Sequence, residues 1–83
     1  MLRVSVISPE AVLFEGDAES VVAPAHDGEV GILTGHAPLM ALLGNGQLRL
    51  GGSDGRRFNV SGGFVQVLDN KVRVVAEEAI SAR

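Results

Sequence analysis

Short runs of alternating apolar and polar residues occur along most of the chain. In "RVSV" the residues Val4 and Val6 alternate with polar neighbours, and the same pattern recurs in "QLRL", "FVQV" and "KVRV". An alternation with a period of two residues is typical of strands that bury one face and expose the other. The pattern therefore predicts a chain built mainly of half-buried β-strands.

Turn-forming residues separate these runs at close intervals. The sequence breaks at Ser8-Pro9-Glu10, Asp27-Gly28, Asn45-Gly46, Asp54-Gly55 and Asp69-Asn70. Asn-Gly and Asp-Gly supply the positive φ angles that tight hairpin turns need. The segment "PLMALLGNG" is apolar enough for a short helix, but its Asn-Gly ending favours a strand that leads into a turn. We predict an all-β fold, a small antiparallel β-sandwich or flattened barrel of about eight to ten short strands.

The length and composition favour one small domain without a deep cavity. The chain has 83 residues, 46% of them hydrophobic and 20% charged, with no cysteine. A domain of this size buries only about 60% of the surface of its unfolded chain, so a large catalytic cavity would weaken a thin core. The chain lacks an apolar run of the roughly 20 residues needed to span a bilayer, and "MLRVSVISPE" lacks the apolar core of a secretory signal.

The charge distribution argues against binding to nucleic acid. Ten acidic residues oppose seven basic ones, which gives a formal charge of −3, and the basic residues are scattered. The aromatic residues are three phenylalanines. Because nucleic-acid binding needs a basic stripe and, for single strands, stacking rings, this class of function is excluded.

Motifs for metal binding or catalysis are weak. His26 and His36 are ten residues apart in a glycine-rich region, a spacing that matches no common zinc motif. In "NVSGGF", Asn59 takes the place of the first glycine of a hydrolase elbow, so Ser61-Gly62-Gly63 instead indicates a bulge or a close approach of two backbones. The residues therefore predict no catalytic group, no metal and no cofactor.

Lys71 supports an alternative function. It is the only lysine and follows the turn in "DNKV". Lipoyl or biotinyl carrier domains are small β-sandwiches that present one modifiable lysine at a hairpin tip, although near mid-chain between two similar halves. An ordinary solvated lysine is the more common state of such a residue.

One glycine-rich segment carries a specific resemblance. The run "GEVGILTGHAPL", Gly28 to Leu39, contains three glycines, one histidine and one proline, and "SGGF" follows it at a distance. With these motifs, nearly the whole chain resembles the N-terminal β-sandwich domain of the epsilon subunit of bacterial F-type ATP synthases. The chain departs from the family at Thr34, where proline is usual, and at Ala25, where glycine is common. Thr34 predicts a slightly less rigid loop, because proline would fix φ.

The resemblance implies a non-catalytic rotor subunit of the central stalk. Such a subunit binds the gamma subunit and the c-ring, couples ion-driven rotation to ATP synthesis, and lies peripherally at the cytoplasmic face of the bacterial inner membrane. The family usually continues into a two-helix hairpin, whereas we expect residues 1–83 to form a single β-sandwich domain with that hairpin absent.

The resemblance also implies two contact surfaces on one shaped loop. The c-ring interface would comprise residues at the first part of the segment: Asp27, Gly28, Glu29, Val30 and Gly31. The gamma-subunit interface would comprise residues that follow it: His36, Ala37, Leu39, Met40 and Ala41. Apolar residues and methionine suit an adaptable protein contact. A hydrogen bond within its own loop is the alternative role of His36.

Overall fold

The computed structural model describes residues 1–52 and 55–82, and most of them lie in β-strands. The eight strands are β1 (Leu2–Ile7), β2 (Val12–Ala18), β3 (Ser20–Ala25), β4 (Gly28–Leu33), β5 (Leu39–Leu42), β6 (Asn45–Gly51), β7 (Arg57–Leu68) and β8 (Lys71–Ser81). No helix occurs in these two ranges. The predicted all-β class is confirmed, with a strand number at the lower end of the expected range.

The strands form one hydrogen-bonded sheet that folds over a single core. Their order is β2-β1-β8-β7-β6-β3-β4, and β5 pairs with β7 beyond the end of β6. β1 and β8 run parallel, whereas the other pairings of the described strands are antiparallel. Strands as distant in this order as β1 and β3 contribute to the same buried cluster. The sheet therefore folds over this core as a sandwich, the architecture that the alternating pattern predicts.

The core consists almost entirely of residues from the alternating runs. Its largest fully buried side chains include Phe58, Leu2, Ile32 and Leu48. In β1 the alternation is regular: Leu2, Val4 and Val6 are buried. Dense packing of this kind makes a small β-domain stiff, because side chains in close contact cannot rearrange without creating cavities.

The long strand β7 changes its buried face at two glycines. Phe58 and Val60 are buried in its first half, but Val65 and Val67 are buried in its second half, so the alternation shifts by one residue between them. Gly62 and Gly63 lie at this shift with φ angles of 72° and 101°. β6 pairs with the first half of β7 and β5 with the second half. The glycines thus let one strand belong to both layers.

Three of the predicted turns have different outcomes. Asp69 and Asn70 both have positive φ and join β7 to β8 in a two-residue hairpin turn, as predicted. The turn predicted at Asn45-Gly46 is wrong, because both residues already pair with β7 in strand β6 and the chain changes direction before them. Their neighbours Leu43 and Gly44 donate to the carbonyls of Gly63 and Pro24. The turn at Asp54-Gly55 cannot be assessed, since Asp54 lies outside the described residues.

Candidate protein-docking surface

The segment Gly28–Leu39 is only partly a loop. Residues Gly28–Leu33 form β4, the last strand in the sheet order, and pair with β3 along its length. The prediction of a continuous shaped loop is therefore wrong for this half. This half forms a strand because apolar and other residues alternate within "GEVGIL". Val30 packs against the core and Ile32 is buried, while their neighbours face outward. Only the connection to β5, Thr34–Pro38, lies outside strands; we call it the docking turn.

The residues predicted to contact the c-ring lie at the tip and start of the β3–β4 hairpin. His26 and Asp27 form its two-residue turn, and Gly28 follows with a φ of 127°. Asp27, Gly28 and Glu29, together with Gly31 further along β4, are exposed, whereas Val30 is partly buried. The exposed side chains of the hairpin tip, Asp27 and Glu29, are therefore acidic, and Val30 packs against the core.

Glu29 already has a partner within the chain. Its carboxylate accepts from the Arg49 guanidinium at 3.3 Å, across β3, and the two side chains are 57% and 40% exposed. An ion pair at this exposure contributes only about 0–1 kcal/mol to stability. The sequence gives no signal for this pair, because the two residues are 20 positions apart and meet only through the order β4-β3-β6.

The docking turn begins with a type II β-turn whose four residues run from Leu33 to His36. The His36 N–H donates to the Leu33 carbonyl at 3.0 Å, and Gly35 at the third position has a φ of 87°. A type II turn requires this positive φ and often has proline at its second position. That second position is Thr34, one of the two residues at which the chain departs from the family. The turn forms without proline because Gly35 supplies its unusual angle.

His36 makes a contact within its own turn. Its Nδ1 lies 2.7 Å from the carbonyl oxygen of Ala37, so the ring donates through Nδ1–H. This contact agrees with the alternative role predicted for His36, a hydrogen bond within its own loop, and the side chain remains partly exposed. A contact between His36 and a partner stays a prediction, as does one by the exposed Ala37.

Strand β5 divides the predicted gamma-contact residues between two faces. Leu39 and Ala41 are partly buried against the core, while Met40 is 62% exposed. Leu42, which is not among the contact residues predicted from the sequence, is 66% exposed on the same outward face as Met40. The period of two that identifies strands would have revealed it. Met40 and Leu42 are thus the side chains through which β5 can contact a partner.

Leu42 begins a row of apolar side chains across the outer face of the sheet. Successive strand pairings place Leu42 beside Phe64, Phe64 beside Val75, Val75 beside Ile7 and Ile7 beside Val12. We call these five residues the apolar row. Each is exposed or only partly buried, and together they cross β5, β7, β8, β1 and β2. A continuous apolar stretch on an outer face is characteristic of protein–protein contact.

The hairpin tip and β5 lie side by side. The backbone N–H of His26 donates to the Leu42 carbonyl at 2.9 Å, and a bridge joins Ala25 to Leu43. A groove of about 420 Å³ runs between His26 and Asp27 on one side and Met40 on the other. The polar tip and the apolar row therefore form adjoining parts of one surface.

The geometry of the described residues gives little support for a metal site or for a carrier lysine. Within residues 1–52 and 55–82, no three histidine, aspartate or glutamate side chains cluster closely enough to hold a metal ion. No helix in these ranges could cross a membrane. Lys71 is exposed as the first residue of β8, but the tip of its hairpin consists of Asp69 and Asn70. The arrangement therefore supports surface contact better than a reaction site.

The fold and this surface define a small β-sandwich domain with an apolar outer face. The family model for the "ATP synthase, Delta/Epsilon chain, beta-sandwich domain" matches residues 1–82. The chain belongs to this family, which confirms the resemblance inferred from its glycine-rich motifs.

Curated relatives agree with the family. The chain is 45% identical over 82 residues to an ATP synthase epsilon chain of Dichelobacter nodosus, a match that covers 96% of this chain and 57% of the relative. It is 46% identical over 77 residues to that of Leptospira borgpetersenii, which covers 92% of this chain and 61% of the relative. The chain thus spans about 60% of the length of these relatives.

Solved structures share the fold. A chain of the Euglena gracilis mitochondrial ATP synthase, from a complex of OSCP, F1 and c-ring, matches with a TM-score of 0.87 and 23% identity, covering 96% of this chain and 52% of that one. A chain from the central stalk and c-ring of the Tetrahymena thermophila mitochondrial ATP synthase matches with a TM-score of 0.80 and 18% identity, covering 95% and 65%. At these identities the likeness establishes the fold alone.

Proposed function

We propose that this chain is the β-sandwich part of a central-stalk subunit of an F-type ATP synthase. In this role it carries no catalytic residue and binds the gamma subunit and the c-ring through two adjoining parts of its surface. The observation that carries the proposal is the exposed surface of Met40 and the apolar row, which adjoins the polar hairpin tip. A stiff sandwich with two adjoining contacts suits a part that transmits rotation between neighbours.

The apolar part of the surface is the proposed gamma contact. Met40 and Leu42 face outward and the docking turn lies directly before them. Methionine adapts to an irregular partner, and exposed aliphatic side chains lose contact with water when a partner covers them. Leu39 and Ala41 support this contact from the core side, while His36 and Ala37 shape its edge.

The polar hairpin tip is the proposed c-ring contact. Asp27 and Glu29 present carboxylates beside Gly28 and Gly31, whose missing side chains leave the backbone open to a partner. Basic groups on the ring would compete with Arg49 for the Glu29 carboxylate. Since exposed ion pairs are weak, this contact sets orientation more than affinity. Attachment to the ring would hold the chain at the cytoplasmic face of a bacterial inner membrane without a segment in the bilayer.

Co-purification tests the proposal as a whole. The natural, untagged protein is isolated from membranes of its host in mild detergent, and the accompanying subunits are identified by mass spectrometry. Gamma and c subunits in fixed ratio are expected. Isolation as a free protein would contradict the proposed function. An intact-mass measurement on the same sample tests the carrier alternative, which requires a covalent adduct on Lys71.

Replacing Glu29 by glutamine is expected to weaken attachment to the c-ring in a salt-dependent way. The substitution removes one negative charge but keeps the shape of the side chain. Retention on c-ring-containing membranes should fall at about 0.05 M salt and differ little from wild type at about 0.5 M, where exposed charges are screened.

Arg49→Gln is the matched control for this prediction. It breaks the same internal ion pair but leaves the Glu29 carboxylate in place. Retention on the ring should therefore be unchanged or slightly stronger. If both variants lose retention equally, the internal pair matters rather than a contact between Glu29 and the ring.

A further inference from the structure

We propose that Asn70 is the positioning residue that fixes the docking turn in its type II conformation. Its Oδ1 accepts a hydrogen bond from the backbone N–H of Gly35 at 2.7 Å, across 35 positions of sequence. The effect on partner binding rests on the proposed function, whereas the effect on the turn does not. Neither residue belongs to the surfaces selected from the sequence.

The contact acts on the peptide that distinguishes the turn types. Type I and type II turns share the bond between their first and fourth residues, here Leu33 and His36, and differ by a flip of the central peptide. That central peptide joins Thr34 to Gly35, and its N–H donates the hydrogen bond that Asn70 Oδ1 accepts. A flipped peptide would point this N–H away from Asn70. The side chain therefore selects one of two turns that the local sequence permits.

Thr34 makes an external constraint more important. Proline at the second position favours turns of types I and II by fixing φ, but threonine leaves this angle free. The φ of 87° at Gly35 is available to glycine in both the folded and the unfolded chain, so glycine alone does not hold it. The hydrogen bond from outside the turn supplies the restraint that the turn itself lacks.

Asn70 is itself held rigidly by the strands. It has a φ of 63° in the β7–β8 turn, a conformation that asparagine tolerates better than most residues. Its carbonyl accepts from the Arg3 N–H at 2.8 Å, which ties the turn to the start of β1. The hydrogen bond from Gly35 to the Asn70 side chain thus holds the docking turn in a fixed position relative to β1, β7 and β8.

Asparagine combines two properties that this position needs: it tolerates a positive φ, and its side chain carries an acceptor oxygen. Glycine adopts the positive φ but has no acceptor, and most other residues disfavour this φ. Aspartate tolerates the φ and keeps an acceptor oxygen. Asp69, the preceding residue, also has positive φ, at 52°, but no hydrogen bond joins its side chain to Gly35. These differences define the variants of the test.

The test compares Asn70→Gly, Asn70→Asp and Asp69→Gly in the full natural protein. Amide hydrogen exchange of Gly35 and His36 is followed by NMR, thermal unfolding by circular dichroism, and the Kd for isolated gamma by calorimetry. Asn70→Gly should accelerate Gly35 exchange at least about tenfold and weaken gamma binding about 3- to 10-fold, as expected for the loss of one hydrogen bond. Its thermal midpoint should match that of Asp69→Gly.

Rescue by aspartate separates positioning from general stability. Asn70→Asp should restore both slow Gly35 exchange and gamma affinity, and Asp69→Gly should leave both unchanged. Unaltered Gly35 exchange in Asn70→Gly would overturn the positioning role. Faster exchange without any loss of gamma affinity would overturn the effect of Asn70 on partner binding. Failure of the wild-type protein to bind gamma would instead overturn the proposed function, and the exchange of Gly35 would still decide whether Asn70 fixes the turn.

Discussion

Replacing Gly63 by alanine is expected to lower the thermal midpoint by more than about 12 °C or to prevent folding. A Cβ at this position would overlap the carbonyl oxygen of Val75 and come within 2.9 Å of the Ala76 Cα. The φ of 101° adds backbone strain for any residue with a side chain. Backbone strain costs about 1–3 kcal/mol, and together with the separation of β7 from β8 the loss in folding free energy exceeds about 3 kcal/mol. For a domain of this size, each kcal/mol lowers the thermal midpoint by about 4–8 °C.

Gly31→Ala is the matched control. Gly31 lies in β4 without a positive φ, and a Cβ there would meet no atom within 4 Å. The same chemical change should therefore leave the midpoint unchanged or raise it slightly, since alanine restricts the unfolded chain. Both midpoints are measured by circular dichroism. Equal midpoints for the two variants would show that β7 and β8 do not need the close approach at Gly63.

Replacing Met40 by aspartate is expected to weaken gamma binding at least about tenfold. Met40 is 62% exposed in the isolated domain, so the change removes no core contact and should alter stability little. In the complex the carboxylate would be buried among apolar side chains without a partner, which costs more than the lost methionine contact alone. Calorimetric titration with isolated gamma measures the effect.

Ile80→Asp controls for the general effect of a charged residue on an exposed strand. Ile80 is 69% exposed and pairs with Asn59 near the far end of β8, whereas Met40 pairs with Gln66. The Ile80→Asp variant should bind gamma with wild-type affinity. Leu39→Asp is a poorer test, because Leu39 packs against the core and its replacement would also disturb the fold. If the Met40→Asp and Ile80→Asp variants both bind gamma with wild-type affinity, β5 is excluded from the gamma interface.

Strands with a regular alternation were predictable because they carry their signal locally. Val4 and Val6 alternate with polar residues, and the same rule places Val72 and Val74 in the core. The turn at Asp69-Asn70 was equally local, since both residues accept positive φ. The role of Gly62 and Gly63 as a place of close approach also followed from the lack of a side chain. These features depend on neighbours in sequence, and so the sequence alone indicates them.

The features that the sequence did not reveal depend on strand order. Asn45-Gly46 has the composition of a hairpin turn, yet pairing with β7 draws both residues into β6. The contact between Glu29 and Arg49 requires β3 to lie between β4 and β6. The contact between Gly35 and Asn70 requires two loops to meet at one end of the sandwich. No period or dipeptide encodes such meetings.

Part of the candidate surface was accessible from the sequence and part was not. The resemblance drew attention to Met40, but the alternation within β5 separates it from Leu39 and Ala41 and adds Leu42. The apolar row emerges only when its five residues are aligned through four strand pairings. A single strand shows one outward apolar residue, and a docking face becomes visible when several strands are placed side by side.

Amide hydrogen exchange with and without gamma most directly tests whether the outer face around β5 is a docking surface. The natural protein is exchanged alone and in complex with isolated gamma, and protection is compared residue by residue. Added protection is expected from Leu33 through Leu42 and in the paired part of β7, Phe64–Val67. Protection confined to the opposite end, around Gly51 and Arg57, or the absence of any added protection, would contradict the account.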